Sequence, residues 1–183
     1  KRVTARLKAC RHDYTQALAL LDEMRGNGVM PNVFHYSAAI TACAKGGQWR
    51  RALALLDEMR ASRVTPDAFS FNATISACEK GGQWQQALAL LDEMRAKGVP
   101  PNVITSNALL SACARATQPE HAMRLWDGPP PVPNAVSFNA VLDAVACWPR
   151  TARELWKLGL ERGVYRVNQP YLQCVEGRPI CLL

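Results

Sequence analysis

The nonapeptide Ala-Leu-Ala-Leu-Leu-Asp-Glu-Met-Arg occurs three times unchanged, at residues 17–25, 52–60 and 87–95, and its copies start 35 residues apart. A fixed period of this size constrains the fold more than any single residue. It marks a solenoid, in which each unit buries its apolar face only against its neighbours. Catalytic domains are rarely built this way, whereas a surface that repeats along its length suits a ligand that also repeats.

Aligned on the nonapeptide, the chain divides into units 33–67, 68–102, 103–134 and 135–168, preceded by a truncated unit 1–32 and followed by a tail 169–183 that reads as a cap. Units 33–67 and 68–102 agree at 22 of 35 positions. Each unit follows a Pro-Asn or Pro-Asp step (Pro31-Asn32, Pro66-Asp67, Pro101-Asn102, Pro133-Asn134), which stops the preceding helix. Ser70, Thr105 and Ser137 stand where an N-cap is expected. Phe71, Ile75 and Cys78 then follow helical spacing, and Gly46-Gly47 and Gly81-Gly82 break that first helix. A second apolar stripe, Trp84, Ala87, Leu88, Leu91 and Met94, predicts an antiparallel second helix ending near Gly98. Nothing resembles a strand. The expected fold is all-α: a right-handed α-solenoid of antiparallel helix-turn-helix repeats. The later units decay, most visibly where Leu125-Trp126-Asp127 runs into Gly128 and three prolines.

The formal charge of +7 and pI near 9.3 favour a polyanionic partner. No apolar run approaches the roughly 20 residues of a membrane span, so no membrane partner is expected. The start at Lys1, without Met or an apolar leader, reads as a processed chain or a fragment. Of seven cysteines, Cys43, Cys78 and Cys113 share one repeat position, with Cys10 in the same column. Stacked repeats hold such positions too far apart for a disulfide or a shared metal, so these read as buried thiols in a reducing compartment. His12, His35 and His121 pair with no Cys or Glu at metal or nucleophile spacing. The Gly-Gly turns lack a P-loop's Lys-Ser/Thr, and Asp57-Glu58 and Asp92-Glu93 read as a solvated helix face. No catalytic residue, metal, cofactor or small-molecule substrate is expected, and the chain is not expected to be an enzyme.

The tetratricopeptide opening Trp-x-x-Leu-Gly-x-x-Tyr is absent. The unit opens instead on Phe69-Ser70-Phe71-Asn72-Ala73-Thr74-Ile75-Ser76-Ala77-Cys78 and closes on Leu91-Asp92-Glu93-Met94-Arg95-Ala96-Lys97-Gly98-Val99-Pro100-Pro101-Asn102. This 35-residue unit closely resembles the pentatricopeptide repeat, a family known for binding single-stranded RNA in chloroplasts and mitochondria. The deaminase signatures of some relatives (His-x-Glu with Cys-x-x-Cys) and their nuclease domain are missing, so the resemblance is to the plain binding class.

The resemblance implies one base per repeat, read by the fifth residue of the first helix and the last residue of the unit. The implied base-reading pairs are Thr4 with Asn32, Ser37 with Asp67, Asn72 with Asn102, Asn107 with Asn134, and Asn139 with Asn168. By the family's code these correspond to 5′-A-G-C-C-C-3′, with uracil also accommodated in the last three slots. An Asn amide both donates and accepts, whereas an Asp carboxylate only accepts, which suits the N–H groups of guanine. The resemblance also makes Phe34, Phe69, Ile104 and Val136 the side chains that sandwich each base, and Lys45, Lys80 and Arg115 phosphate contacts. The implied partner is single-stranded RNA, with other RNA-processing factors beside it. The rival expectation is a helical-repeat scaffold that grips an extended peptide or protein partner.

Overall fold

A computed structural model describes residues 13–126. These form seven helices in chain order: α1 (Tyr14–Gly26), α2 (Val33–Lys45), α3 (Trp49–Ala61), α4 (Ala68–Lys80), α5 (Trp84–Ala96), α6 (Val103–Arg115) and α7 (Pro119–Trp126). No strand occurs among the described residues. Helices α2, α4 and α6 are the first helices of successive units, and α3, α5 and α7 are the second.

First helices pack side by side, α2 against α4 and α4 against α6. Helices α3 and α5 each lie against the first helix of their own unit and that of the next, and among the described residues second helices do not pack on one another. The result is an inner row of first helices backed by an outer, splayed row. The shared core lies between the rows. It takes Ala52, Leu55, Leu56 and Met59 from α3, Phe71, Ile75, Ala77 and Cys78 from α4, and Ala87, Leu90, Leu91 and Met94 from α5. The nonapeptide therefore recurs because its Ala, Leu and Met positions fill the same inter-helix space in each unit.

Three of the four thiols in the expected column are buried, and Cys10 lies outside the described residues. Cys43, Cys78 and Cys113 are free and fully enclosed, and burial pushes Cys78 and Cys113 up to about 11 and raises Cys43. At ordinary pH they remain protonated and unreactive.

Two expectations require correction. The first helices begin three residues earlier than Ser70 and Thr105 suggest. Their N-caps are Asn32, Asp67 and Asn102, in extended backbone, with side chains accepting from the N–H groups of His35, Ser70 and Thr105. Ser70 and Thr105 are third helical residues that bond back to the cap rather than forming it. Nor are the repeated acidic pairs simply a solvated face. Asp22 and Asp57 are exposed, but Glu58 pairs with Arg25 of the previous unit and Glu93 pairs with Arg60. The Glu and Arg of the nonapeptide thus tie the outer helices together.

Candidate functional site

The N-terminal ends of α2, α4 and α6 carry three columns of side chains that the packing of the core does not use. At the second helical position stand Phe34, Phe69 and Ile104, which are 41%, 59% and 63% exposed. A single exposed apolar side chain is ordinary, whereas a recurring row of them points to an interaction surface. Here they recur once per unit along one edge of the inner row.

Three residues along each helix, one turn above the apolar group, is the expected reader: Ser37, Asn72 and Asn107. An i, i+3 spacing puts the two on one helix face, with Cβ atoms about 5–6 Å apart. Ser37 and Asn72 sit at the seam between adjacent first helices and are 5% and 8% exposed. Asn107 is half-buried. The partner column, Asn32, Asp67 and Asn102, is more open: the first two are exposed and Asn102 is half-buried.

Two of the pairs implied by the resemblance lie wholly within the described residues: Asn72 and Asn102 meet directly, while Ser37 and Asp67 are linked only through Ser70. Asn72 Nδ2 donates to Asn102 Oδ1 at 3.2 Å, across 30 residues of chain. The same Asn102 oxygen accepts the Thr105 N–H at 3.1 Å, and the Thr105 hydroxyl donates to Asn72 Oδ1. In the preceding unit Ser37 Oγ meets Ser70 Oγ at 2.7 Å, and Ser70 Oγ donates to Asp67 Oδ1 at 2.7 Å. The third helical residue therefore joins each pair, a role that sequence reasoning missed because it had assigned Ser70 and Thr105 to the caps. His35 occupies the same position in α2. Its Nδ1 accepts the Asn32 N–H at 3.2 Å, and burial depresses its pKa, so the acceptor stays unprotonated at neutral pH.

Lys45, Lys80 and Arg115 end the same three helices and are exposed. Lys45 and Lys80 make no ion pair among the described residues, while Arg115 Nε lies 3.8 Å from Glu79 Oε1. Eight residues of helix separate each cation from its reader, about 12 Å along the axis. Each slot thus combines a polar floor, an apolar flank and a remote positive charge. Thr4, Asn134, Val136, Asn139 and Asn168 lie outside the described residues. Among the described residues no cluster of His, Cys, Asp and Glu could hold a metal, and no helix is long and apolar enough to cross a membrane.

Sequence-family models agree with this architecture. The model described as "Pentatricopeptide repeat domain" matches residues 19–81, "PPR repeat family" matches 66–115 and "PPR repeat" matches 104–128. Together they run from residue 19 to residue 128 of the 183-residue chain. No curated protein matches the sequence. Among solved structures, the pentatricopeptide repeat protein PPR10 from maize is 31% identical with a TM-score of 0.72, over 94% of this chain and 25% of that one. The chain thus spans about a quarter of that relative's length. The pentatricopeptide domain of protein-only RNase P 1 from Arabidopsis thaliana, solved in complex with tRNA, shares the fold at 19% identity and a TM-score of 0.79, over 94% of each chain. PPR10 in complex with an 18-nucleotide psaJ RNA element superposes with a TM-score of 0.57 at 21% identity, over 89% of this chain and 30% of that one. With the period, the hairpin geometry and the family models in agreement, the chain belongs to the pentatricopeptide repeat family.

Proposed function

We propose that the chain binds single-stranded RNA along the row of first helices, one base per unit, and acts in organellar RNA processing or stability. The observation that carries this reading is the convergence of Asn72 and Asn102, 3.2 Å apart, beside the exposed Phe69 and Ile104. A base entering between those apolar groups meets two amide side chains at its hydrogen-bonding edge, the arrangement that unstacked single-stranded bases permit. The slot of unit 33–67, between Phe34 and Phe69, pairs a hydroxyl with a carboxylate and is assigned to guanine; that of unit 68–102 is assigned to cytosine. Lys45, Lys80 and Arg115 supply the charge that follows the phosphates. Two relatives of this fold have been solved with RNA bound, which supports the assignment of the ligand class. The chain itself carries out no reaction; occupancy protects or exposes a transcript segment, or positions a processing factor, in the chloroplast or mitochondrion.

Binding to labelled single-stranded RNA at increasing salt tests the ligand class. The logarithm of affinity is expected to fall with log salt at about −0.7 per phosphate neutralised, hence near −2 or steeper for three cations. A salt-insensitive association, or competition by extended peptides in place of RNA, contradicts the proposal and favours the scaffold reading.

A further inference from the structure

The hydrogen bonds within the two described slots have opposite polarity, and the third residue of the following first helix takes part in both. In the Asn72–Asn102 slot both amide oxygens are engaged internally: Asn102 Oδ1 accepts from Thr105 N and Asn72 Nδ2, and Asn72 Oδ1 accepts from the Thr105 hydroxyl. The hydrogens that remain are two on Asn102 and one on Asn72, against a single further lone pair on Asn72 Oδ1. In the Ser37–Asp67 slot the ionised carboxylate can only accept, so the single hydrogen of the Ser70 hydroxyl goes to Asp67 Oδ1. Ser70 Oγ must then accept from Ser37, which spends the Ser37 hydrogen. What remains are lone pairs, on Ser37 Oγ and on Asp67 Oδ2.

We propose that Thr105 and Ser70 are specificity-positioning residues, which fix the first slot as a donor face and the second as an acceptor face. A donor face complements the N3 and O2 acceptors of cytosine. An acceptor face complements the N1–H and N2–H groups of guanine. Thr105 achieves this by holding the Asn72 oxygen inward; without the hydroxyl the amide is free to turn over and to present an acceptor, which the N3–H of uracil matches. Neither residue reaches the base itself. Each lies behind the readers, with Ser70 and Thr105 fully buried.

This inference rests on the RNA reading above, and a paired experiment separates the two. Affinities are measured for RNAs varied to all four bases at each slot, using the parent chain, Thr105→Val, Thr105→Ser and Ser70→Ala, each checked by thermal melting. Thr105→Val is expected to lower the preference for cytosine over uracil at the Asn72–Asn102 slot about fivefold, the equivalent of one net hydrogen bond, and to leave the guanine preference of the neighbouring slot intact. Thr105→Ser restores it. Ser70→Ala does the converse, and decides the matter alone if Thr105→Val does not fold. A parent that shows no base preference at either slot removes the RNA reading itself. A parent that discriminates, with both ratios unchanged in Thr105→Val and Ser70→Ala or with both slots relaxed equally, overturns the positioning role and leaves the reading standing.

Discussion

Phe69 contributes little to the core, and the proposed function gives it a ligand to cover it. At 59% exposure it is more open than a large aromatic needs to be, and it flanks two slots at once. Stacking of a base on an aromatic side chain is worth about 1–3 kcal/mol. Phe69→Ala is therefore expected to weaken RNA binding by at least about fivefold, the low end of that range. Its melting temperature is expected to stay near the parent's, since exposed substitutions usually alter stability within about 0.5 kcal/mol. A large fall in melting temperature with unchanged RNA affinity reverses the assignment. Asn32, Asp67 and Asn102 are different, because each serves the fold and the slot together. A side-chain oxygen of each caps a helix, a contribution of about 1 kcal/mol, and must turn inward to do so. The other terminal atom is then left facing outward: an amide nitrogen for Asn, a second oxygen for Asp. Helix capping thus orients the atom assigned to base reading in the proposed function before any ligand arrives.

At the level of the hairpin, the paired glycines do two separate things. Gly47 and Gly82 stand at φ +68° and +67°, and nothing lies within 4 Å of a Cβ added there. They supply the left-handed residue that ends a helix. Arg63 and Thr117 take comparable turns at φ 56° and 52° without that freedom. Gly81 has an ordinary φ but no room: a Cβ there falls 2.3 Å from Trp49 Cδ1. Trp49 opens the second helix of unit 33–67 and packs on the turn of unit 68–102, so Gly81 is needed for contact between units. Gly81→Ala is expected to cost about 1–3 kcal/mol by overpacking, read as a lower midpoint in denaturant unfolding; an unchanged midpoint contradicts this account of the interface. The hairpins themselves were legible in the sequence, because Ala52, Leu56, Met59 and their counterparts repeat at helical spacing and glycine marks the breaks. The caps were misplaced by three residues because Asp67 and Ser70 are both capping types, and local spacing does not rank them. The links from Arg25 to Glu58, Arg60 to Glu93, Ser37 to Ser70 and Asn72 to Thr105 were not legible at all. Each spans 33 residues rather than the 35 of the repeat, an offset set by how neighbouring helices stagger.

Across the whole molecule, two ladders run along opposite faces of the same stack. On the outer face, Arg25 to Glu58 and Arg60 to Glu93 couple second helices that otherwise do not touch. These pairs are partly exposed, so each is worth at most about 1 kcal/mol; their consequence is geometric, holding successive hairpins at one spacing. On the inner face, the Ser37–Ser70 and Asn72–Thr105 bonds join first helices at that same spacing. The proposed reading positions are thereby fixed relative to one another by the scaffold, as a ligand with a regular backbone requires. Central to the proposed function is that one unit addresses one base. Selection of bound sequences from a random single-stranded RNA pool, carried out in parallel on the parent and on Asn102→Asp, tests it most directly. The substitution exchanges an outward donor for an outward acceptor and keeps an oxygen for the cap. The expected result is a single column of the enriched motif moving from cytosine to uracil, with the neighbouring guanine and the remaining columns unmoved. An identical motif from a folded variant, or a change spread over several columns, contradicts it.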